Sequence, residues 1–312
     1  MKIIAECGAT KSDWRLISDG VGIKQVLTPG INVSTMSWEV IKVVVDEALS
    51  QLCSASGSGS ASASASGFAS GSGSASASGS NAICAALPES VIVQSIHLYV
   101  AGVVTEDVDL NFRDAFATYY PSAEVEVQTD LVAAARAACG HAPGIAAILG
   151  TGSNSCQWNG EMIVKKVPTG GFILGDEGGA ATLGKLFISD FIKGLVPTEI
   201  AEDFSSRYPS DYATIVTNVY RSKSPSAYLG SLAPFIMEHY NHPYIKNLVE
   251  VNFRSFIIRS LKQYDTEGCP VGVVGGFAYA LKDIFLRIAS EEEISISRII
   301  KAPIEGLIEY HS

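Results

Sequence analysis

The stretch Gly144 to Asn159, GIAAILGTGSNSCQWN, constrains the fold of this chain more than any other. Ile145 to Leu149 is an apolar run of strand length and composition. It runs directly into Gly150-Thr151-Gly152-Ser153-Asn154-Ser155, a turn of glycine and small polar residues. A short alternation, Cys156 to Trp158, then reaches the turn signal Asn159-Gly160. Strand, small-residue turn and strand predict a β-hairpin with no bulky side chain at its tip. Glycine lets the backbone approach a ligand closely, and exposed N–H groups with Thr and Ser hydroxyls can cradle phosphate oxygens. An ordinary hairpin with a Gly-rich tip fits the same letters.

A second hairpin of the same design opens the chain. Ile3-Ile4-Ala5 leads into Glu6-Cys7-Gly8-Ala9-Thr10-Lys11-Ser12-Asp13, and Trp14 to Ser18 alternates before Asp19-Gly20 turns into Val21 to Leu27. Two phosphate-loop candidates on two β-meanders, far apart in sequence, suggest a duplicated domain with a nucleotide's phosphates clamped between its halves.

The pieces ECGATKSDW (6–14), TPGINVS (28–34), QTDLVAAARA (128–137), ILGTGSNS (148–155), GFILGDEGGAATLGK (171–185) and VGVVGGFAYAL (271–281) span nearly the whole chain. In this order they resemble the sugar kinase, heat-shock chaperone ATPase and actin superfamily, and within it the BadF/BadG-type ATPases and N-acetylglucosamine kinases. The resemblance implies an α/β chain of two ribonuclease-H-like, actin-like ATPase domains with an interdomain nucleotide cleft. It implies ATP and Mg²⁺ as cofactors, with the phosphates held by Gly8, Thr10, Lys11 and Ser12 and by Gly150, Thr151, Gly152 and Ser153. Adenosine is expected against Gly275, Gly276 and Phe277, where a strand–Gly-Gly–helix junction could otherwise be mere close packing.

At 312 residues the chain is long enough for two domains. We place the first at 1–140 and the second at 141–302, with a helical insert at about 198–264 and residues 303–312 returning to the first. A formal charge of −10 with no Lys/Arg run argues against nucleic acid as a partner. Met1 to Glu6 reads as a strand with an acidic end, not a signal peptide, and no apolar run reaches membrane-spanning length. Cysteines 7, 53, 84, 139, 156 and 269 form no CxxC pair, which fits free thiols in a reducing cytoplasm. A homodimer is compatible with this composition. From Ser54 to Ser80 every residue except Phe68 is Ser, Ala or Gly, which offers no side chains for a core; the letters read as placeholders.

Residues 36–52 predict an amphipathic helix with Ile41, Val44, Val45, Ala48, Leu49 and Leu52 as its apolar stripe. A strand at 91–101, a helix at 108–119 and a strand at 124–128 complete the first α/β pattern. Thr129-Asp130 then caps a helix over 131–139. A lone Asp there is favourable near a helix's positive end and needs no further role. By resemblance, Asp130 is the general base that accepts the proton of an attacking sugar hydroxyl. Asp176-Glu177 between glycines reads as a helix cap, before a helix of about four turns through Phe191. By resemblance, Asp176 instead accepts hydrogen bonds from sugar hydroxyls, which charge strengthens. Asn32 resembles the acetamido-sugar contact, and Asn154, Thr151 and Gly152 join the substrate set.

Two residues depart from the family pattern. Glu6 stands where Asp usually helps hold Mg²⁺ through water, and the longer side chain moves the charge by roughly 1.5 Å. Gly170 stands where some N-acetylglucosamine kinases have a sugar-stacking Trp, so sugar identity stays open. Three classes remain. A kinase for an amino sugar, with N-acetylglucosamine first, is favoured by Asp130, Asp176 and Asn32. A BadF-type ATPase activating a partner reductase or dehydratase is the alternative, though it would need cysteines for a bridging iron–sulfur cluster. A sugar-binding regulator without turnover is the third.

Overall fold

The computed structural model describes residues 1–8, 10–53, 92–266 and 268–312. The Ser/Ala/Gly stretch lies outside the described residues, as does Val91, the first residue of an expected strand. The described chain divides into two compact units, Met1–Val127 and Gln128–Ser312.

The first unit is built on β1 (Lys2–Cys7), β2 (Lys11–Ser18), β3 (Val21–Pro29), β4 (Ser95–Val100) and β5 (Glu124–Thr129). They form one sheet in the order β3-β2-β1-β4-β5. β1 pairs antiparallel with β2 and parallel with β4, and β2 pairs antiparallel with β3. Alternation decides the faces. Trp14 and Leu16 of β2 point into a core with Val26 of β3 and Ile96 and Leu98 of β4. Helix Trp38–Cys53 closes that core with the stripe its sequence predicts, since Ile41, Val44, Val45, Ala48, Leu49 and Leu52 are all buried. Phe112 and Phe116 of helix Glu106–Ala117 add stacked rings at 6.3 Å.

The second unit repeats the plan with β6 (Gly144–Leu149), β7 (Ser153–Trp158), β8 (Ile163–Lys166), β9 (Val271–Val274) and β10 (Ile296–Ile300). Its order is β10-β9-β6-β7-β8, again with an antiparallel meander on one side of the first strand and a parallel strand on the other. The fold is α/β and duplicated. Helices from Thr198–Arg207 to Pro243–Arg259 fill the expected insert, and Phe187, Phe204, Phe235, Phe253 and Phe256 build its core.

Two boundaries differ from expectation. The division falls after Val127 rather than at residue 140, so helix Asp130–Cys139 belongs to the second unit. The reason is its composition: Leu131 and Ala135 bury against Ala146, Cys156 and Trp158 of the second sheet. The last helix, Ile304–Tyr310, packs on this same helix, which lay in the expected first domain, and both fall in the second unit. A Cβ on Gly306 would lie 2.7 Å from the Ala137 carbonyl oxygen, a contact that only small residues on both helices permit.

Candidate functional site

The first hairpin's tip is braced from behind. The Ile31 and Gly30 N–H groups donate to the carbonyls of Gly8 and Thr10 at 3.0 and 3.2 Å, and Gly8 N–H donates to Lys11 O. Segment 28–34 therefore consumes the tip's carbonyls. Thr10 and Lys11 are exposed at this tip, and Gly8 is half-buried. Ser12 is different: it is fully buried, and its hydroxyl donates to Pro29 O at 3.0 Å. The strand's alternation turns it inward, away from the position a phosphate contact requires. Glu6 is half-buried at the end of β1, its Oε1 3.6 Å from where a Cβ on Gly8 would stand. Asn32 bridges to Ala101 beyond the end of β4, and its Oδ1 accepts the Ser34 N–H at 2.9 Å.

The second hairpin is braced in the same way. Ala180 and Ala181 N–H groups donate to Gly150 O and Thr151 O, both at 2.9 Å, and Gly150 N–H donates to Gly152 O. The start of helix Ala180–Phe191 thus takes up the carbonyls, and Thr151 remains exposed. Ser153 is buried. Asn154 is half-buried, with its Oδ1 on the Ser155 N–H.

Asp176 sits against this tip. A Cβ on Gly152 would lie 2.7 Å from Asp176 Oδ2, so the close approach requires glycine. Burial raises the Asp176 pKa, opposed by the Ser153 N–H that its carboxylate accepts and reinforced by the neighbouring Glu177 charge. Its backbone is left-handed, φ 57°, a conformation that costs a non-glycine residue about 1 kcal/mol or more. Asp176 is not the helix cap: Gly179 occupies that position and caps with no side chain.

Asp130 opens helix Asp130–Cys139, whose N-cap is Thr129, with Thr129 Oγ1 accepting the Val132 N–H at 3.3 Å. Burial pushes the Asp130 carboxyl up to about 6, against the pull of the Leu131 N–H and the Lys166 charge. A carboxyl with that value is ionised at neutral pH and still basic enough to take a proton. At the end of β9, Gly275 has φ 142°, and a Cβ there would stand 2.2 Å from Leu149 O. Gly276 faces open space, while the Phe277 ring packs on Phe253 at 5.6 Å.

Two residues were missed from sequence. Thr182 Oγ1 donates to Asp176 O at 2.7 Å. Asn252, 2% exposed, accepts the Gly178 N–H at 2.9 Å and donates to Gly179 O at 3.1 Å. Asn252 did carry a signal: it stands in the apolar stripe Ile245, Leu248, Val249, Phe253, Phe256, where a polar residue needs a buried partner.

Among the described residues, no helix is long and apolar enough to cross a membrane. No family model and no curated protein sequence matches the chain. Solved structures do. A Porphyromonas gingivalis protein described as a "putative N-acetylglucosamine kinase" aligns with 100% of this chain and 98% of its own, at 29% identity and a TM-score of 0.83. A Chromobacterium violaceum protein with the same description aligns over 100% and 98% at 16% identity and 0.69. A ROK-family glucokinase from Streptomyces griseus, solved with glucose and AMPPNP, shares the fold at 15% identity and 0.52 over 99% and 97%. By its duplicated sheets and its likeness to these structures over nearly its whole length, the chain has the two-unit α/β fold of the sugar kinases and actin-like ATPases.

Proposed function

We propose that the chain is an ATP-dependent sugar kinase that transfers the γ-phosphoryl group to a hydroxyl of an amino sugar, with N-acetylglucosamine the first candidate. The observation that carries this reading is the contact between Gly152 and Asp176. A turn suited to phosphate and a carboxylate suited to hydroxyls touch, and phosphoryl transfer needs donor and acceptor side by side. The Porphyromonas gingivalis relative supports the sugar class.

Both hairpins lend their carbonyls to a bracing segment, and the Gly8, Gly150 and Ser153 N–H groups are engaged within the protein, which leaves the other tip N–H groups and the Thr10 and Thr151 hydroxyls for phosphate. Lys11 adds a positive charge. Gly276 offers a flat, open backbone for adenosine, and Phe277 contributes main chain there because its ring is turned to Phe253. Asp176, Asn32 and Asn154 would orient the sugar. Since the Asn32 Oδ1 is taken by the Ser34 N–H, its NH₂ is the group to meet an acetamido oxygen. Asp130 accepts the proton of the attacking hydroxyl. Glu6, a half-buried carboxylate beside Gly8, fits a Mg²⁺ ion held through water, which when bound offsets phosphate charge.

The test is ATP consumption across N-acetylglucosamine, N-acetylmannosamine, glucosamine and glucose. Turnover should depend on the sugar and be fastest with an N-acetylated one. Sugar-independent hydrolysis would point to a BadF-type ATPase, and sugar binding without turnover to a regulator.

A further inference from the structure

Asn252 is an anomaly in its own helix. Every other residue of the buried stripe on Pro243–Arg259 is apolar, and Phe253 and Phe256 lie beside it in the core. A buried amide without partners would cost more than a leucine in the same place. Here both of its hydrogen bonds go to the loop that carries Asp176, across 73 or 74 residues of sequence.

That loop needs holding. Asp176 is left-handed, its carboxylate presses on Gly152, and Gly178 after it is left-handed at φ 79°. Each such turn relaxes readily unless the surroundings over-determine it. Thr182 fixes the Asp176 carbonyl, and Asn252 fixes the next N–H and carbonyl on the far side. Gly179, which Asn252 holds by its oxygen, is followed at once by the Ala180 N–H that braces Gly150. One buried amide therefore ties the core to the sugar carboxylate and, one residue on, to the phosphate hairpin.

On the reading of Asp176 as a sugar ligand, we propose that Asn252 is a positioning residue for the acceptor sugar, with Thr182 as its secondary support. It touches neither substrate nor nucleotide; it holds Asp176 in the conformation that meets the sugar. Loss of the clamp raises the KM for sugar and largely spares that for MgATP, because the hairpin keeps a second brace, Ala181 N–H to Thr151 O, that the Asn252 amide does not hold.

Three variants test this. Asn252→Leu keeps the branched heavy-atom outline and removes both hydrogen bonds; the sugar KM should rise about tenfold with the MgATP KM within about twofold. Asn252→Asp adds a readout that general loosening cannot imitate. Protonated, its acid both accepts from Gly178 and donates to Gly179 O, as the amide does; ionised, it repels that carbonyl. Its sugar KM, taken as a ratio to wild type to cancel the neighbouring charges common to both, Asp176 and Glu177, should be near one in mild acid and climb with pH. Thr182→Val, nearly isosteric, should raise the sugar KM by less and decides the matter if neither Asn252 variant folds. A folded Asn252→Leu with wild-type sugar KM, or one in which both KM values rise together, overturns the proposal. If the wild-type chain phosphorylates no sugar, the kinase reading falls, and hydrogen exchange at Gly178 judges the clamp. Lost protection confined to that loop in Asn252→Leu supports it, and unchanged protection overturns it.

Discussion

At the residue scale the two carboxylates separate by what each must do. Asp130 is held up to about 6 chiefly by burial, so its ionised form is the one the fold disfavours. Because the folded state binds that proton more tightly than the unfolded chain, its contribution to stability is present below the unfolded carboxylate range and lost as pH rises through about 6. On the proposed role of Asp130 as general base, catalysis has the opposite sign, because a base works ionised: sugar-dependent kcat should rise with a midpoint near 6 and plateau above it. Asp130→Asn should therefore melt higher than wild type at alkaline pH, with the gain vanishing in acid, while kcat falls by about two decades or more. An Asp130→Asn enzyme with near-normal turnover would reduce Asp130 to a first-turn residue of its helix. Asp176→Asn should act on affinity instead. Calorimetry with N-acetylglucosamine should show weaker binding, by roughly tenfold, because charge-assisted hydrogen bonds lose their anion. Equal affinity in the variant would remove Asp176 from the sugar site.

At the element scale the chain uses one device twice: a hairpin whose tip carbonyls are taken by a neighbouring segment. In the first unit that segment is extended, Gly30-Ile31; in the second it is the start of helix Ala180–Phe191. The two glycines of the second tip make different forecasts. A Cβ on Gly150 meets nothing within 4 Å, whereas one on Gly152 runs into Asp176. Gly150→Val should therefore weaken binding of a non-hydrolysable ATP analogue and leave sugar affinity and melting temperature near wild type. Gly152→Val should weaken both ligands, since its branch displaces the Asp176 carboxylate. Unchanged nucleotide affinity in a folded Gly150→Val would count against the phosphate role of this hairpin. These elements were legible because each rests on a local rule: strand alternation, small residues in a turn, and the apolar stripe of helix Trp38–Cys53. Ser12 was misplaced because a hydroxyl beside Gly and Thr reads as part of the tip, while β2 alternation turns it to Pro29.

At the scale of the whole molecule, cysteine chemistry separates the kinase from a cluster-bearing ATPase. Burial holds the thiol of Cys139 up at about 11 and that of Cys156 at about 12, so both carry their protons at neutral pH and a cluster would have to displace them. Purified without oxygen, the protein should be colourless and free of stoichiometric iron. A brown dimer whose visible absorption is lost on cysteine substitution would reverse the assignment. The sequence by itself determined the duplication and the two hairpins, because periodicity and turn chemistry act between near neighbours, while Asp130 and Asp176 became candidates through the family resemblance. Only the tertiary structure decided which unit owns helix Asp130–Cys139, where the last helix packs, that Asp176 abuts Gly152, and that Asn252 holds the loop from 73 residues away. Those outcomes depend on burial and on hydrogen bonds between distant segments, and neither is encoded in the spacing of adjacent residues.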